Sequence, residues 1–418
     1  MLKQTKLSNG IRIITKQLPY SCSAAIGFWV AAGSREELPE HSGASHFIEH
    51  MLFKGTQRRS SFEIAREADS MGGVLNAFTG REFVCYYAKV LAESLPKTVD
   101  LLADLFLNST FPEGELENER KVILQEIRML EDNPDDFLHD LFHRNFWQNH
   151  PLGMPIIGTQ ESVSAMSRDF LANYKRERYL GGDIIITAAG RVDHEELVDL
   201  LAGQLLTVAP GSIRTPVALP AYQKRFGKQE RDMGQLLLCL GGKALSQKDP
   251  LRHDALVLNT ILGGSMSSRL FQEVREKAGL AYSVYSWLLS HSDTGGLLVT
   301  SGTTADKFEQ AISIIMSELK KLKNEPPAMD EIVASRTQLK GNILLSLESS
   351  DNVMSKLAKN EIYLGGYQPV EEIVAALEAV TRDRLLSLAN ELFDDRYFTI
   401  QLLGDLSGVS FGVDDLTI

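Results

Sequence analysis

The chain has 418 residues, 44% of them hydrophobic and 23% charged, which is typical of a globular protein of two or three domains. This composition excludes a disordered chain, a collagen and a small disulfide scaffold. A net charge of −12 argues against nucleic-acid binding, which needs a clustered basic surface. No apolar run approaches the roughly 18 residues of a membrane helix, and the N-terminus lacks a signal-peptide core. We therefore expect a cytoplasmic protein that binds neither nucleic acid nor membranes.

The first half of the chain predicts strands, then several helices, then one more strand and helix. Ser8-Asn9-Gly10 lies between two alternating runs and predicts a hairpin turn. Strands are predicted over Ile11–Thr15, Ala24–Ala32, Val74–Thr79, Phe83–Val90 and Asp183–Ala189. Helices are predicted near 43–71, in three or four segments from Ser94 to Trp147, and from about His194.

The second half repeats this order after a proline-containing stretch. That stretch, from Thr207 to Pro220, has three prolines and no clear period, as an interdomain linker does. Beyond it, strands are predicted near 235–240, 281–302 and 397–403. Helices are predicted at 250–262, at 267–277 and between the strands at 281–302 and about residue 392. The sequence therefore predicts two homologous repeat domains, 1–210 and 223–418, joined by a linker at 211–222. Strand runs separated by consecutive helices favour an α+β fold, in which each largely antiparallel sheet has helices packed on one face.

Three cysteines, Cys22, Cys85 and Cys239, are odd in number and far apart in apolar, strand-like segments. Buried thiols in a reducing compartment are the simplest interpretation.

The pattern H-x-x-E-H occurs at His46, Glu49 and His50 on a predicted helix. At 100° per residue the three side chains share one arc of about 100°, so two imidazoles can hold a metal while the carboxylate stands beside them. Neutral imidazole suits zinc, and Glu49 is then the general base for the attacking water. Composition predicts about 0.01 to 0.02 chance matches to the pattern, which disfavours a helix that merely bears two histidines.

A third ligand must come from elsewhere. The helix that contains Glu119 and Glu126 places both glutamates on one face, and their spacing alone does not choose between them. An exposed helix with charge pairs is the alternative for either residue. His139 and His143 are also four residues apart but have no third ligand in sight, so we interpret them as a surface helix face.

Over essentially its whole length the sequence resembles the pitrilysin-type metallopeptidases (inverzincins), above all the short bacterial homologues that are similar to mitochondrial processing peptidase. The resemblance implies one Zn²⁺ per chain, with His46, His50 and Glu126 as ligands and Glu119 as a residue that contacts and orients a ligand. The second repeat lacks the H-x-x-E-H motif, as it does in that family.

Two further stretches carry the resemblance. Gly72 to Thr79 looks like the family's edge strand, onto which an extended peptide adds, with Asn76 and Ala77 as substrate contacts. Ser267 to Tyr282 contains the bacterial members' arginine and tyrosine, Arg275 and Tyr282, which would stabilise the oxyanion of the tetrahedral intermediate.

The sequence thus predicts a zinc metalloendopeptidase that encloses short or unfolded peptides between its repeat domains. The resemblance also implies a homodimer, in which Arg275 and Tyr282 can act within one chain or on the partner's site. Two alternatives stay open: a non-catalytic scaffold or assembly subunit of the same fold, and a zinc-containing peptide-binding module.

Overall fold

A computed structural model describes residues 1–212 and 218–418 of the chain. The strands are β1 (Leu2–Lys6), β2 (Arg12–Gln17), β3 (Ser23–Val30), β4 (Val74–Thr79), β5 (Val84–Leu91), β6 (Ile184–Gly190), β7 (Arg225–Glu230), β8 (Leu236–Ala244), β9 (Ser283–Ser290), β10 (Gly295–Thr303) and β11 (Thr399–Gly404). The helices are α1 (Ala44–Leu52), α2 (Ser61–Ser70), α3 (Leu95–Asn108), α4 (Glu113–Asp132), α5 (Pro134–Phe146), α6 (Gln160–Ala165), α7 (Arg168–Arg178), α8 (His194–Leu205), α9 (Arg252–Leu262), α10 (Phe308–Asn324), α11 (Met329–Ser346), α12 (Ser350–Leu364), α13 (Val370–Glu378) and α14 (Arg382–Leu392). A π-helix spans Phe271–Lys277.

The described residues form two compact units, each with one sheet. The first unit gathers those within Met1–Met129, Met154–Val217 and Leu345–Tyr367, and the second those within Leu130–Gly153, Ala218–Leu344 and Gln368–Ile418. Each unit thus combines most of one half of the chain with one helical segment from the other half. The predicted repeats, 1–210 and 223–418, are a division of the sequence and stay a prediction, and part of the predicted linker, 213–217, lies outside the described residues.

The first unit is built on a six-stranded sheet in the order β1-β2-β6-β3-β5-β4. All its pairs are antiparallel except the parallel pair of β2 with β6. In β3, Ile26 and Phe28 pack into the core formed with α1, α3 and α8, whereas Ala25 and Trp29 pack on the opposite face against α12. Because both faces are covered, β3 is apolar almost throughout and does not alternate between apolar and polar residues.

The second unit repeats this plan on a five-stranded sheet in the order β7-β11-β8-β10-β9. Leu238 and Leu240 of β8 belong to the core that contains α9, α10 and α14. Leu237 and Cys239 lie on the other face, in a cluster with Phe142 of α5. As in the first unit, one sheet face carries several helices and the other carries a single helix from the opposite half of the chain.

The predicted α+β class with largely antiparallel sheets is confirmed, as is the hairpin at Ser8-Asn9-Gly10, where Gly10 has φ +100°. Strand β7 was not predicted, because its residues are polar and half-exposed and it pairs only with β11, in parallel. The interpretation of His139 and His143 as a surface face is wrong: His143 is buried and the His139 ring lies 5.5 Å from that of Trp287.

The cysteines follow the prediction in two of three cases. Cys85 and Cys239 are buried thiols, but Cys22 is exposed, because it lies in the turn before β3 and not within the strand. Within the described ranges, no helix is both long and apolar enough to cross a membrane.

Candidate metal centre

The helix that carries the histidine pair is held at its N-terminus by a buried carboxylate. Glu37 is 2% exposed and accepts hydrogen bonds from the backbone N–H groups of Gly43 (2.8 Å) and Ser45 (2.7 Å). Gly43 has φ +92°, and a Cβ there would lie 2.7 Å from the carbonyl oxygen of Ile157. A side chain would therefore be both strained and obstructed at Gly43, so this glycine and Glu37 together fix where α1 begins.

Helix α1 separates its apolar and polar residues by helical period. Phe47, Ile48 and Met51 are completely buried in the core of the first unit. His46 and His50, one turn apart, are half-buried and lie on the side that faces α4. The core thereby holds the helix, and the two imidazoles stay available to a ligand.

His46, His50 and Glu126 converge on one point. The Oε2 atom of Glu126 lies 3.8 Å from Nε2 of His46 and 3.5 Å from Nε2 of His50. These three residues form the one group of metal-ligating type found in the described residues, with one ligand atom from each within 4.8 Å of the others. Tetrahedral zinc with bonds of about 2.1 Å separates its ligand atoms by about 3.4 Å, so the trio fits a zinc ion with one coordination position left open.

Glu119 contacts His50 at the ring nitrogen that does not face Glu126. Its Oε2 lies 2.9 Å from Nδ1 of His50, and its Oε1 lies 2.7 Å from the ammonium of Lys54. If Nδ1 carries the proton, Nε2 of His50 presents its lone pair to a metal. No such partner holds His46, whose buried Nδ1 has no hydrogen bond in the described part of the chain.

The two histidines differ in the pKa of their imidazoles. Burial lowers the pKa of His46 to about 4, and the neighbouring positive charge of His50 adds to this. Burial also opposes the charged form of His50, but hydrogen bonds with Glu119 and Glu126 outweigh it and raise the pKa to about 9. His50 therefore carries a proton at neutral pH, which a metal must displace.

Glu49 lies on α1 between the two histidines and is half-buried. Burial raises the pKa of its carboxyl group, and a hydrogen bond from the Thr79 hydroxyl partly offsets the rise. Thr79 is the last residue of β4, the edge strand of the sheet, so β4 and α1 are in contact at the Glu49 carboxylate.

The predicted substrate contacts lie on that same strand. Asn76 and Ala77 belong to β4, the edge strand of the first sheet. The side-chain Oδ1 of Asn76 accepts a hydrogen bond from the backbone N–H of Ala77 at 2.8 Å. An incoming peptide strand that pairs with Ala77 must first replace this contact.

Arg275 and Tyr282 lie together in the second unit, whereas the histidines and Glu126 belong to the first. The π-helix carries Arg275, whose guanidinium carbon lies 5.4 Å from the Tyr282 ring centroid and 4.6 Å from that of Phe271. Tyr282 is 85% exposed, so its hydroxyl is accessible. A π-helix often marks a functional position, and here it presents the arginine beside the tyrosine.

Three residues of the site were not predicted from the sequence: Glu37, Lys54 and Thr79. Each acts through a contact with a residue of α1 or with its partner Glu119. Thr79 ends a stretch that the resemblance had already singled out, which was the one available signal. Nothing in the sequence distinguishes Glu37 or Lys54 from other charged residues near a helix.

Comparison with known proteins agrees with this geometry. Residues 12–160 match the family described as Insulinase (Peptidase family M16), and residues 165–339 match that described as Peptidase M16 inactive domain. The uncharacterized zinc protease YmxG of Bacillus subtilis is 42% identical over 397 residues, covering 95% of this chain and 97% of the relative. An uncharacterized zinc protease of Streptomyces coelicolor is 36% identical over 405 residues, covering 94% and 88%.

Solved structures show the same fold at lower identity. The crystal structure of a protease from Helicobacter pylori superposes with a TM-score of 0.90 at 22% identity, covering 97% of this chain and 99% of that one. A structure from Pseudomonas fluorescens, described as a peptidase M16 inactive domain, has a TM-score of 0.90 at 19% identity and covers 96% and 98%.

Proposed function

The chain belongs to the insulinase family, peptidase family M16, and we propose that it is a zinc-dependent endopeptidase that hydrolyses short or unfolded peptides. The observation that carries this proposal is the convergence of His46, His50 and Glu126 beside Glu49. Zinc bound by such a trio acts as a Lewis acid, which lowers the pKa of a coordinated water and polarises a carbonyl group.

The chain's own residues divide the remaining work. Glu49 takes the proton of the attacking water and later gives it to the leaving amine. Its raised pKa suits this double role better than that of an ordinary exposed glutamate. Glu119 holds His50 in the orientation that ligation needs.

Substrate binding falls to the edge strand. Strand β4 pairs with β5 on one side and offers its other side to an extended peptide. Main-chain hydrogen bonds to Asn76 and Ala77 would fix the peptide backbone while leaving its side chains unconstrained, which suits an enzyme of broad sequence preference.

Arg275 and Tyr282 complete the mechanism as oxyanion donors. A guanidinium and a phenol aimed at the scissile carbonyl stabilise the negative charge that develops on its oxygen. We propose that the protein is a homodimer and that each chain supplies this pair to its partner's metal site, since the metal motif and the pair lie in different halves of the sequence.

The test of function combines metal content with cleavage of a mixed peptide library, with and without a chelator. The wild-type chain should contain zinc and cleave peptides, and the chelator should abolish cleavage. Glu49→Gln should keep its zinc and lose turnover by about 10²- to 10⁴-fold, because the amide cannot take a proton. Undiminished cleavage by Glu49→Gln would refute the mechanism. Zinc without cleavage in the wild type would favour a binding module. The absence of both zinc and cleavage would favour a scaffold subunit.

Sharing between chains has its own test, in which Glu49→Gln and Arg275→Ala, both inactive, are mixed and allowed to exchange subunits. With shared sites, a mixed dimer has one site with both defects and one with neither, so about half of the activity returns in that species. Absence of rescue, once mass analysis confirms mixed dimers, would refute the shared site.

A further inference from the structure

The first unit has a cavity that lies apart from the metal centre. It has a volume of about 580 Å³ and opens between the C-terminal part of α3, the length of α7 and the residues that follow α8. None of the proposed metal ligands lines it, nor does Glu49. Its size is within the range of about 300–1,000 Å³ typical of small-molecule sites.

The charges that line this cavity all have one sign. Arg168, Lys175 and Arg176 contribute three cations, and no aspartate or glutamate is among the lining residues. The chain as a whole has a net charge of −12, so the positive charge of this lining is opposite in sign to that of the whole chain. Such a surface attracts anions.

Lys175 is the most informative of the three. Its side chain makes no hydrogen bond and no ion pair with the described residues, and its ammonium lies 6.0 Å from the ring centroid of Tyr179. Burial alone lowers the pKa of this lysine to about 8, with no carboxylate to counter it. Lys175 is half-buried and lines the cavity, so an anion bound there would supply the counter-charge that its ammonium lacks.

Arg168 is fixed where it lines the cavity. Its Nε donates to the carbonyl oxygen of Phe111 at 2.9 Å, and one terminal nitrogen donates to that of Thr110 at 3.1 Å. The other terminal nitrogen lies 3.4 Å from Oδ1 of the exposed Asp169, which does not line the cavity. Phe111 has φ +50°, which is unusual for a residue other than glycine, asparagine or aspartate. Strained backbone of this kind persists where the surroundings impose it, often around ligands, and here the arginine holds both carbonyls.

The remaining wall is largely apolar. Leu107, Ala172 and Val208 are only half-buried and present apolar surface to the cavity. Phe106, Phe111 and Tyr179 also line it, but they are buried. A free inorganic anion would leave these surfaces uncovered. A ligand that matches the whole cavity has one negative group and an apolar body.

We propose that this cavity binds a small amphipathic anion, a carboxylate carried on an apolar chain, with Lys175 as its counter-ion and Arg168 and Arg176 as flanking charges. The site is independent of the peptidase centre, so it can exist whether or not the chain cleaves peptides.

Calorimetric titration with decanoate, below its critical micelle concentration, tests the proposal on the full chain. Decanamide has the same apolar chain without the charge and is the matched ligand. Lys175→Met keeps an unbranched apolar side chain and removes the ammonium, and Lys97→Met, on the exposed face of α3, is the matched protein control.

The expected result is one decanoate per chain, with decanamide bound about 10-fold or more weakly, since a charge-assisted contact is lost. Lys175→Met should bind decanoate about 10-fold or more weakly, while its thermal unfolding midpoint stays at or above that of the wild type. Lys97→Met should behave as the wild type. Absence of saturable binding, equal affinity for the two ligands, or an unchanged affinity in folded Lys175→Met would overturn the proposal.

A measurement on the wild type covers the case in which Lys175→Met does not fold. Acetic anhydride acetylates accessible lysines, and peptide mass analysis reports the extent at each one. Decanoate should protect Lys175 and leave Lys97 unprotected. Equal acetylation of Lys175 with and without decanoate would overturn the proposal.

Discussion

The two units have the same plan of sheet and helices, yet within the residues that the structure describes only the first brings metal-ligating side chains together at one point. Helix α1 follows β3 in the first unit and α9 follows β8 in the second. On α1, His46 and His50 face a carboxylate. On α9, His253 is buried without a hydrogen bond in the described residues, and burial lowers its pKa to about 4. One buried histidine is a neutral core residue, whereas two beside a glutamate can bind a metal.

The helices α4 and α11 occupy equivalent places in the two halves of the chain, because α4 is the second α-helix after the β4–β5 hairpin and α11 the second after the β9–β10 hairpin. Their glutamates have different partners. Glu119 and Glu126 of α4 both turn to the histidines of α1. Glu331 of α11 instead forms a bidentate pair with Arg269, with oxygen to nitrogen distances of 2.7 and 2.8 Å. In the second unit the Glu331 carboxylate is paired with an arginine, whereas in the first unit the Glu126 carboxylate faces the two imidazoles. The fold therefore supplies equivalent positions in both units, and the residues that face one another at those positions decide between a structural contact and a metal site.

The largest effect expected from this comparison is that of Glu126→Gln. Replacing an anionic ligand by a neutral amide should weaken zinc binding by about 100-fold or more, measured by competition with a chromogenic chelator. Glu331→Gln, the matched change on α11, should leave zinc affinity unchanged. Equal zinc loss in both variants would mean that the effect is a general loss of folding.

A smaller effect is expected for Glu119→Gln. This residue contacts His50 and not the point where the ligand atoms converge, so zinc affinity should fall by about 10- to 100-fold. The same competition assay measures it. A larger loss for Glu119→Gln than for Glu126→Gln would reverse the roles assigned to the two glutamates.

Zinc binding should also release a proton. Because the pKa of His50 is raised to about 9, its imidazole is protonated at neutral pH and must lose that proton to bind a metal. Zinc affinity should therefore fall as the pH drops below about 9, with about one proton released per zinc at pH 7. Calorimetry in buffers of different ionisation enthalpy counts the protons. Glu119→Gln should release fewer, since it removes one contact that raises this pKa, and equal release in both proteins would contradict the assignment.

The smallest effect on the metal is expected in the second unit. Asp254 of α9 is 1% exposed, and its Oδ2 lies 2.5 Å from a terminal nitrogen of Arg384. Arg384→Met should reduce the free energy of unfolding by about 1–3 kcal/mol, because a buried carboxylate loses its partner. Zinc content should not change. Denaturant unfolding with parallel metal analysis checks both, and loss of zinc in folded Arg384→Met would show that the units are not separate in this respect.

Which site residues share a helix face could be predicted from the sequence, because the helical period fixes it. The period of α1 places His46 and His50 on one face, and the period of α4 places Glu119 and Glu126 on another, without any knowledge of the fold. What the period could not decide was which glutamate meets which nitrogen. The resemblance supplied that choice, and the structure places Glu126 near both Nε2 atoms and Glu119 at Nδ1 of His50.

Contacts between distant segments could not be predicted. The apolar face of α5 shows that the helix is buried, but not that it packs on β8 and β11, far away in sequence. The same holds for α12, which packs on β3 and β6. His143 was misinterpreted for a related reason, since the sequence pattern of α5 does not show that this residue is buried in the folded protein. Thr79 belongs to the same class, because it reaches Glu49 of α1 from β4. Glu37 is close to α1 in sequence, but its residue type alone does not reveal that it accepts from the first N–H groups of the helix.

Native mass spectrometry of the purified, folded chain tests the central claim most directly, because it counts metal ions per chain. The account predicts one zinc per chain in the wild type and none in a double variant, His46→Ala with His50→Ala, that stays folded. Zinc retained by that variant, or a second zinc of equal affinity in the wild type, would contradict the claim that only the first unit holds a metal site.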